Sequence, residues 1–217
     1  MPSLQTGERD VIYPLKMRGG KIMGKQIWKP GTVLYPVPAV MVSCGSMDGE
    51  KNIITIAWTG IVNSDPAMTY ISVRPERHSF DMIKNSGEFV INLTNKKLVR
   101  ACDYCGVVSG RDKDKFKEMG LTPFKSSVVS APSIYESPVN IECKVENIIP
   151  LGTHHMFLAK IVSVSVSDEY FDETGKFNFN DSEPVCYSHG CYYSIGEYLG
   201  KFGYSIQKNK PKRNKKK

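Results

Sequence analysis

Apolar and polar residues alternate with period two along much of this chain, which is the spacing of strands that show different chemistry on their two faces. Residues 37–44, "VPAVMVSC", form a short continuous apolar run, and "SMDGEKN" after it carries turn chemistry, so a hairpin into the next run is expected. In 53–59 the alternation sets Ile54, Ile56 and Trp58 on one face and Thr55, Ala57 and Thr59 on the other. The first face is greasy, the second small and hydroxylated. The run 69–74 sets Thr69, Ile71 and Val73 against Tyr70, Ser72 and Arg74, and Pro75 ends it.

The period then changes. "RHSFDMIKNSG" at 77–87 reads as a short helix, with Phe80 and Ile83 at i, i+3 and Gly87 as the stop. "EFVINL" returns to strand; residues 96–105 and 112–119 look helical, with the loop "VVSG" between them. Residues 141–146 alternate Ile141, Cys143 and Val145 with Glu142, Lys144 and Glu146, the pattern of a strand with one wet face. Residues 155–166 are expected to make a long strand buried on much of both sides, and "DETG" at 172–175 turns the chain back. Six or seven strands with a few short helices, mostly unsuited to parallel crossovers, predict a mainly β fold closed as an antiparallel barrel.

A length of 217 residues fits one domain with an adequate core, assigned here to 1–207. The formal charge of +7 suggests an acidic partner until it is located: "KNKPKRNKKK" at 208–217 holds six Lys and one Arg, so 29 − 7 leaves 22 basic residues against 22 acidic ones. The body is neutral, and the tail reads as a disordered, solvated segment with no specific nucleic acid partner. The first residues lack a charged start followed by an apolar core, and no apolar run reaches about 18 residues, which predicts a cytoplasmic protein without membrane insertion. Six cysteines in such a chain read as reduced thiols.

The stretch with the most chemistry is "NIITIAWTGIVNSDPAMTYISVRPERHSF" at 52–80, where a strand ends on a basic, hydroxyl-bearing cluster that opens a helix. Arg74, Arg77, His78 and Ser79 combine charged donors with the free N–H groups of a helix start, a ready site for an anion. In the alternative, Arg74 pairs with Glu76 while His78 and Ser79 only cap the helix. "CDYC" at 102–105 has redox spacing, but no strand leads into it as in a thioredoxin unit. "CYSHGC" at 186–191 could add zinc ligands, yet nothing fixes a geometry, so no metal is assigned.

The same stretch, with "EFVINL", "DYCGVVSGRDKDKFKEMGLTP", "LGTHHMFLAKIVSV" and "CYYSIGEYLGKFGYS", resembles the flavin reductase-like, FMN-binding split-barrel family, and most closely its flavoredoxin branch. The likeness spans roughly 34–206 and implies an FMN cofactor and a homodimer. It places the phosphate at Arg74, Arg77, His78 and Ser79 and the ring along Thr55, Trp58, Gly60, Val62 and Asn63. By the same likeness Ser109, Arg111, Asp112 and Lys115 lie in a loop that closes over the cofactor, Cys186 approaches from the C-terminal segment, and His154 is the candidate catalytic side chain. His154 and His155 must point to opposite faces, so only one can reach the site. No acid–base pair is evident, as expected where the cofactor carries the electrons. Two functions fit: an oxidoreductase moving electrons between NAD(P)H, or a protein donor, and FMN, and a non-catalytic electron carrier reduced by a partner protein. A third is a barrel that has exchanged flavin for another ligand.

Overall fold

The structure, a computed structural model, describes residues 16–18, 21–25 and 27–206. Contacts divide the chain into two units at Leu34/Tyr35, where the sequence reading placed no boundary. In the first unit Lys16–Arg18 pairs antiparallel with Lys21–Met23. The basic tail expected at 208–217 lies outside the described residues.

In the second unit seven strands form one antiparallel sheet: β1 (Val40–Gly45), β2 (Lys51–Ile56), β3 (Thr59–Ser64), β4 (Ala67–Val73), β5 (Glu88–Leu93), β6 (Val139–Pro150) and β7 (His155–Val166). Their order is β2-β1-β5-β6-β7-β4-β3. The two edge strands, β2 and β3, are consecutive in the chain and joined only by Ala57 and Trp58. A sheet whose edges are tied by two residues must roll up, so the topology itself imposes a barrel, split along the unpaired β2–β3 seam. At the seam the Trp58 carbonyl accepts the Ser72 N–H at 2.9 Å.

Three helices accompany the sheet: α1 (His78–Ser86), α2 (Val99–Val107) and α3 (Lys115–Met119). The barrel interior collects Val40, Val42, Ile54, Ile56, Ile71, Val73, Phe89, Ile91 and Phe157, and α1 adds Phe80 and Ile83. Each large side chain buried there contributes about 1.5–3 kcal/mol. The opposite faces of β1 and β2 are buried too, because Met41 and Ile53 pack against Leu98, Ala101, Cys102 and Cys105 of the α2 region, and against Phe116 of α3. Burial on both sides is why 37–44 reads as a continuous apolar run rather than an alternating one. A small sheet of β8 (Val185–Ser188), β9 (Cys191–Ser194) and Val37–Pro38, and a two-stranded pair of Pro123–Phe124 with Ser133–Ile134, complete the described architecture.

Three expectations are corrected. Strand β7 is not buried on much of both sides: of its residues only Phe157 and Ala159 are buried. Trp58 does not continue the greasy face of β2: the strand ends at Ile56, and Trp58 is 45% exposed in the link that crosses the seam. The polar face of β6 is not wet at Glu142, which is fully buried under the segment 126–131. Its carboxylate accepts the backbone N–H groups of Ser127 (2.8 Å), Val128 (2.6 Å) and Val129 (3.0 Å) and the Ser127 hydroxyl. Next to it Glu88 accepts the Ser130 N–H at 2.8 Å. Two carboxylates thus satisfy four successive amides, and Val129 and Ala131 are held down on Val90.

Candidate functional site

Pro75 cannot extend the β4 ladder, and the chain turns there through Arg77, whose N–H bonds the Arg74 carbonyl at 3.1 Å. Arg77 is the N-cap of α1, is extended (φ −71°, ψ 136°), and gives the helix no side-chain cap. The first amides of α1 are therefore free to face a ligand, with the positive end of the helix behind them. At the other end Gly87 takes φ 67°, the left-handed value that suits glycine, and bonds back to Ile83.

A cavity of about 340 Å³ opens at this helix start. One wall is Asn52 and Ile54 of β2, the second Arg74 to Ser79, and the third the end of α2 with Ser109, Gly110 and Arg111, closed by Lys115. Its size lies within the range of small-ligand pockets, roughly 300–1,000 Å³. Four cations line it against one carboxylate, Glu76. Arg74 pairs with Glu76 at 2.9 Å, both exposed, as one half of the alternative has it, without leaving the wall; the other half fails, since neither His78 nor Ser79 caps the helix. Arg111 Nη1 donates to the Glu76 carbonyl at 3.1 Å, and Arg77 Nη1 reaches the Gly106 carbonyl at 3.5 Å. His78 pairs with Glu50 at 2.8 Å, so it sits at the rim rather than capping the helix. Ser79 is buried and its hydroxyl accepts from Asn52 Nδ2 at 2.9 Å.

Lys115 departs most from expectation. Placed by the likeness in a loop that closes over the cofactor, it is 4% exposed, and its Nζ donates to the carbonyls of Ile53 (2.7 Å) and Cys105 (2.9 Å). It ties strand β2 to the end of α2 behind the cavity. Burial lowers its pKa below the ordinary 10.5, partly opposed by the neighbouring Cys105. The Cys105 thiol, also in the wall, is pushed up to about 12 by burial, and that of Cys102 is raised for the same reason. Both shifts disfavour the thiolate, the form that redox reactivity in "CDYC" needs.

Seven of the candidate residues line this cavity: Arg74, Arg77, His78, Ser79, Ser109, Arg111 and Lys115. Asp112 lies in an adjoining groove of about 360 Å³ that shares Gly110 and Arg111 with it. Trp58 and His154 stand together, ring centroids 5.1 Å apart and edge to face. Burial, then the charge of Arg74, lowers the His154 pKa below 6.5, so its ring is neutral at pH 7. Its Nδ1 lies 2.9 Å from the Thr153 hydroxyl. His155 points the other way, onto Phe80 at 5.1 Å, as strand alternation requires. Thr55 is spent on the fold, its hydroxyl donating to the Cys102 carbonyl. Gly60, Val62 and Asn63 lie on the edge strand β3, and Asn63 Nδ2 closes the "NSDP" turn on the Pro66 carbonyl at 2.8 Å. Cys186 pairs with Tyr193 and Pro38 in the small sheet and does not line the cavity.

The sequence reading passed over Asn52 and Gly110. A Cβ on Gly110 would fall 2.2 Å from the Asn52 side-chain oxygen, so the loop backbone presses against the residue that orients Ser79. The available signal was an asparagine next to the start of a mostly apolar strand.

Comparison with known proteins agrees with this architecture. The flavoredoxin of Desulfovibrio vulgaris (Miyazaki F) superposes with a TM-score of 0.78 at 32% identity, over 85% of this chain and 100% of that one. A flavoredoxin from Methanosarcina acetivorans superposes with a TM-score of 0.75 at 26% identity, with the same coverage. A protein of Pyrococcus abyssi is 33% identical over 150 residues, 68% of this chain and 86% of that one. The fold is mainly β and closed as the antiparallel barrel that the strand pattern predicts, and it is the split barrel that the family likeness implies. Residues 32–196 match the flavin reductase like domain, and the chain belongs to that family.

Proposed function

We propose that this cavity holds the phosphate of a noncovalently bound FMN and that the chain works as a flavin-dependent oxidoreductase. The observation that carries the reading is the cationic wall at the uncapped start of α1: Arg74, Arg77, Arg111 and Lys115 against Glu76 alone. A dianionic phosphate needs such charge-assisted donors, while a neutral ligand would leave them unused. The arginines bind and orient; the free amides at His78 and Ser79 add two donors along the helix axis. From this anchor the ring extends toward the Trp58–His154 pair, with Gly60, Val62 and Asn63 along the edge strand. Bound there, the flavin supplies one- or two-electron chemistry, and the protein supplies position and electrostatics.

His154 is the side chain proposed for proton handling. With Nδ1 engaged by Thr153, Nε2 is the nitrogen left to face a nicotinamide or the flavin. Trp58, Ile61 and Val62 are exposed apolar side chains along the same edge, which a second copy of the chain or a protein electron donor would cover. That edge supports a homodimer, and it also supports the second reading, an electron carrier served by a partner protein. Together these features fit a cytoplasmic flavoprotein. Stopped-flow mixing of the FMN-loaded chain with NADH and NADPH separates the readings: prompt bleaching of the flavin band supports the nicotinamide-dependent enzyme, and persistence of the band supports the carrier. Titration showing no preference for FMN over riboflavin would overturn the assignment of the cavity to the phosphate.

A further inference from the structure

Beyond β9 the chain runs out through Tyr198, Leu199, Phe202, Tyr204 and Ile206, large apolar side chains that are all exposed, Phe202 fully so. This arm is folded on itself. The Tyr204 N–H bonds the Lys201 carbonyl at 2.9 Å and the Ile206 N–H the Gly203 carbonyl at 3.3 Å, while the Tyr204 ring lies so close to Gly200 that a Cβ there would meet it at 2.8 Å. Single exposed apolar side chains are ordinary, but a run of them on an arm with its own turns marks a contact surface.

At the root of the arm a groove of about 480 Å³ opens between the turn at Asn180, Glu183 and Pro184 and the stretch from Ser194 to Leu199. Ile195, whose N–H bonds the Pro184 carbonyl at 3.3 Å, gives it apolar walls together with Tyr198 and Leu199, and Glu183 and Glu197 give it carboxylates. The chain changes sign here. From 168 to 197 it holds Asp168, Glu169, Asp172, Glu173, Asp181, Glu183 and Glu197 against Lys176 alone; from 198 onward it holds Lys201 and the cations of 208–217 and no carboxylate. Asp172 is spent on its own turn, accepting the N–H groups of Thr174 and Lys176, and Glu183 pairs with Lys96 at 3.2 Å. Glu197 takes part in none of the ion pairs among the described residues. The chain's own arm does not fill the groove: Leu199 lines it, and three residues later Phe202 stands fully exposed.

We propose that this groove seats the C-terminal arm of a second copy of the chain, Phe202 and Ile206 entering its apolar part while Lys201 and the cations that follow the arm meet the carboxylates of the acidic stretch. An apolar arm with cations and an apolar groove with carboxylates are complementary, and one chain carries both. Two copies can therefore exchange arms about a two-fold axis, each filling the seat of the other. Opposite charges draw the copies together and fix which way the arm lies, and burial of the apolar side chains holds it. Salt screens the first of these, so the exchange is strongest at low ionic strength. The contact uses neither the β3 edge nor the cavity at the start of α1, and it stands whatever ligand that cavity binds.

The test is photo-crosslinking of the full chain with p-benzoylphenylalanine in place of Phe202, a fully exposed position where the aromatic replacement leaves the fold alone. Isotopically light and heavy chains are mixed in equal amounts, irradiated and digested, and the joined peptides are weighed. Adducts should run from position 202 to the segment 180–199 and should include the mixed light–heavy pair, which only an exchange between copies can make. Their yield should fall as salt is raised from about 0.05 M to about 0.5 M. Glu197→Lys, which sets like charges against each other in the seat, and Ile206→Asp, which removes an exposed apolar side chain from the arm, should each lower the yield by about threefold or more, while Glu146→Lys, exposed and outside the groove, should not. Adducts confined to light–light and heavy–heavy pairs would mean that the arm folds back into its own groove, and the proposal fails. Adducts elsewhere on the surface, or none, overturn it too, as does a yield indifferent to salt or to both substitutions.

Discussion

Trp58 and His154 meet edge to face across the end of the barrel seam, ring centroids 5.1 Å apart and planes 81° to each other. The indole is thus a built-in reporter of the imidazole. Burial and the charges of Arg74 and Arg77 disfavour the imidazolium, which places its titration below 6.5. In a Trp28→Phe background, which leaves Trp58 as the sole tryptophan, fluorescence should shift with a midpoint below that value as a cation forms beside the indole. The transition should vanish in His154→Gln. A midpoint above 6.5, or one that survives the substitution, would show that the two rings are not coupled.

Arg77 and Arg111 approach the cavity from different walls and hold only carbonyl groups, at 3.5 and 3.1 Å. Arg77→Ala with Arg111→Ala should weaken FMN by about tenfold or more, since each charge-assisted bond is worth about 1.5–3 kcal/mol, and should leave riboflavin nearly unchanged. Ser79 is the poorer choice for this test: its hydroxyl serves Asn52 at 2.9 Å, and removing it would strand a buried amide. Parallel losses for both flavins, measured by fluorescence quenching, would refute the phosphate assignment.

Glu142 gives an acid-stability prediction. Burial alone would raise its pKa, but hydrogen bonds from Ser127, Val128 and Val129 outweigh burial and hold it below the ordinary 4.5. For a depressed carboxyl, the stabilisation is fully present above the unfolded value and is lost as pH falls through the folded one. Glu142→Gln turns an NH₂ toward amides that need an acceptor, which should cost about 1–3 kcal/mol at pH 7. Melts below pH 4.5 should show the native chain losing its advantage over the variant. A constant gap across that range would mean that Glu142 stays ionised throughout.

What the sequence made legible, and what it did not, divides by distance along the chain. The hairpin of β1 and β2, the inward Phe80 and Ile83 and the Gly87 stop follow from local period and turn chemistry, and all appear as read. So does the opposition of His154 and His155. Misread residues owe their environment to remote segments. Glu142 looks solvent-facing because alternation within a strand says nothing of a loop 13 to 15 residues upstream that folds over it. Lys115 stands in a run of charges that gives no sign of burial, because its acceptors are 62 and 10 residues away. Trp58 obeyed the alternation only as long as the strand lasted. In each case the local pattern was right about the backbone and silent about what would cover it.

Gly110 carries the last prediction. Its φ is not in the left-handed region, so what the site requires is space. A methyl group there would lie 2.2 Å from Asn52 Oδ1 and 2.6 Å from Asn52 Nδ2, inside any allowed contact. Asn52 cannot easily yield, because it is 4% exposed and its Nδ2 holds Ser79 in the first turn of α1 at 2.9 Å. Either the loop 108–111 lifts or the asparagine turns away from Ser79. The first moves Arg111 out of the cavity wall, and the second frees the start of the helix. Gly110→Ala should therefore cost about 1–3 kcal/mol of stability, as overpacking does, and should weaken FMN more than riboflavin because both relaxations act at the phosphate end. Pairing it with Asn52→Ala, which removes the obstacle, should recover most of the lost stability without restoring the FMN preference, since Ser79 then lacks its partner. Recovery of both in the double variant, read by melting temperature and flavin titration, would mean that the Asn52–Ser79 bond has no part in binding.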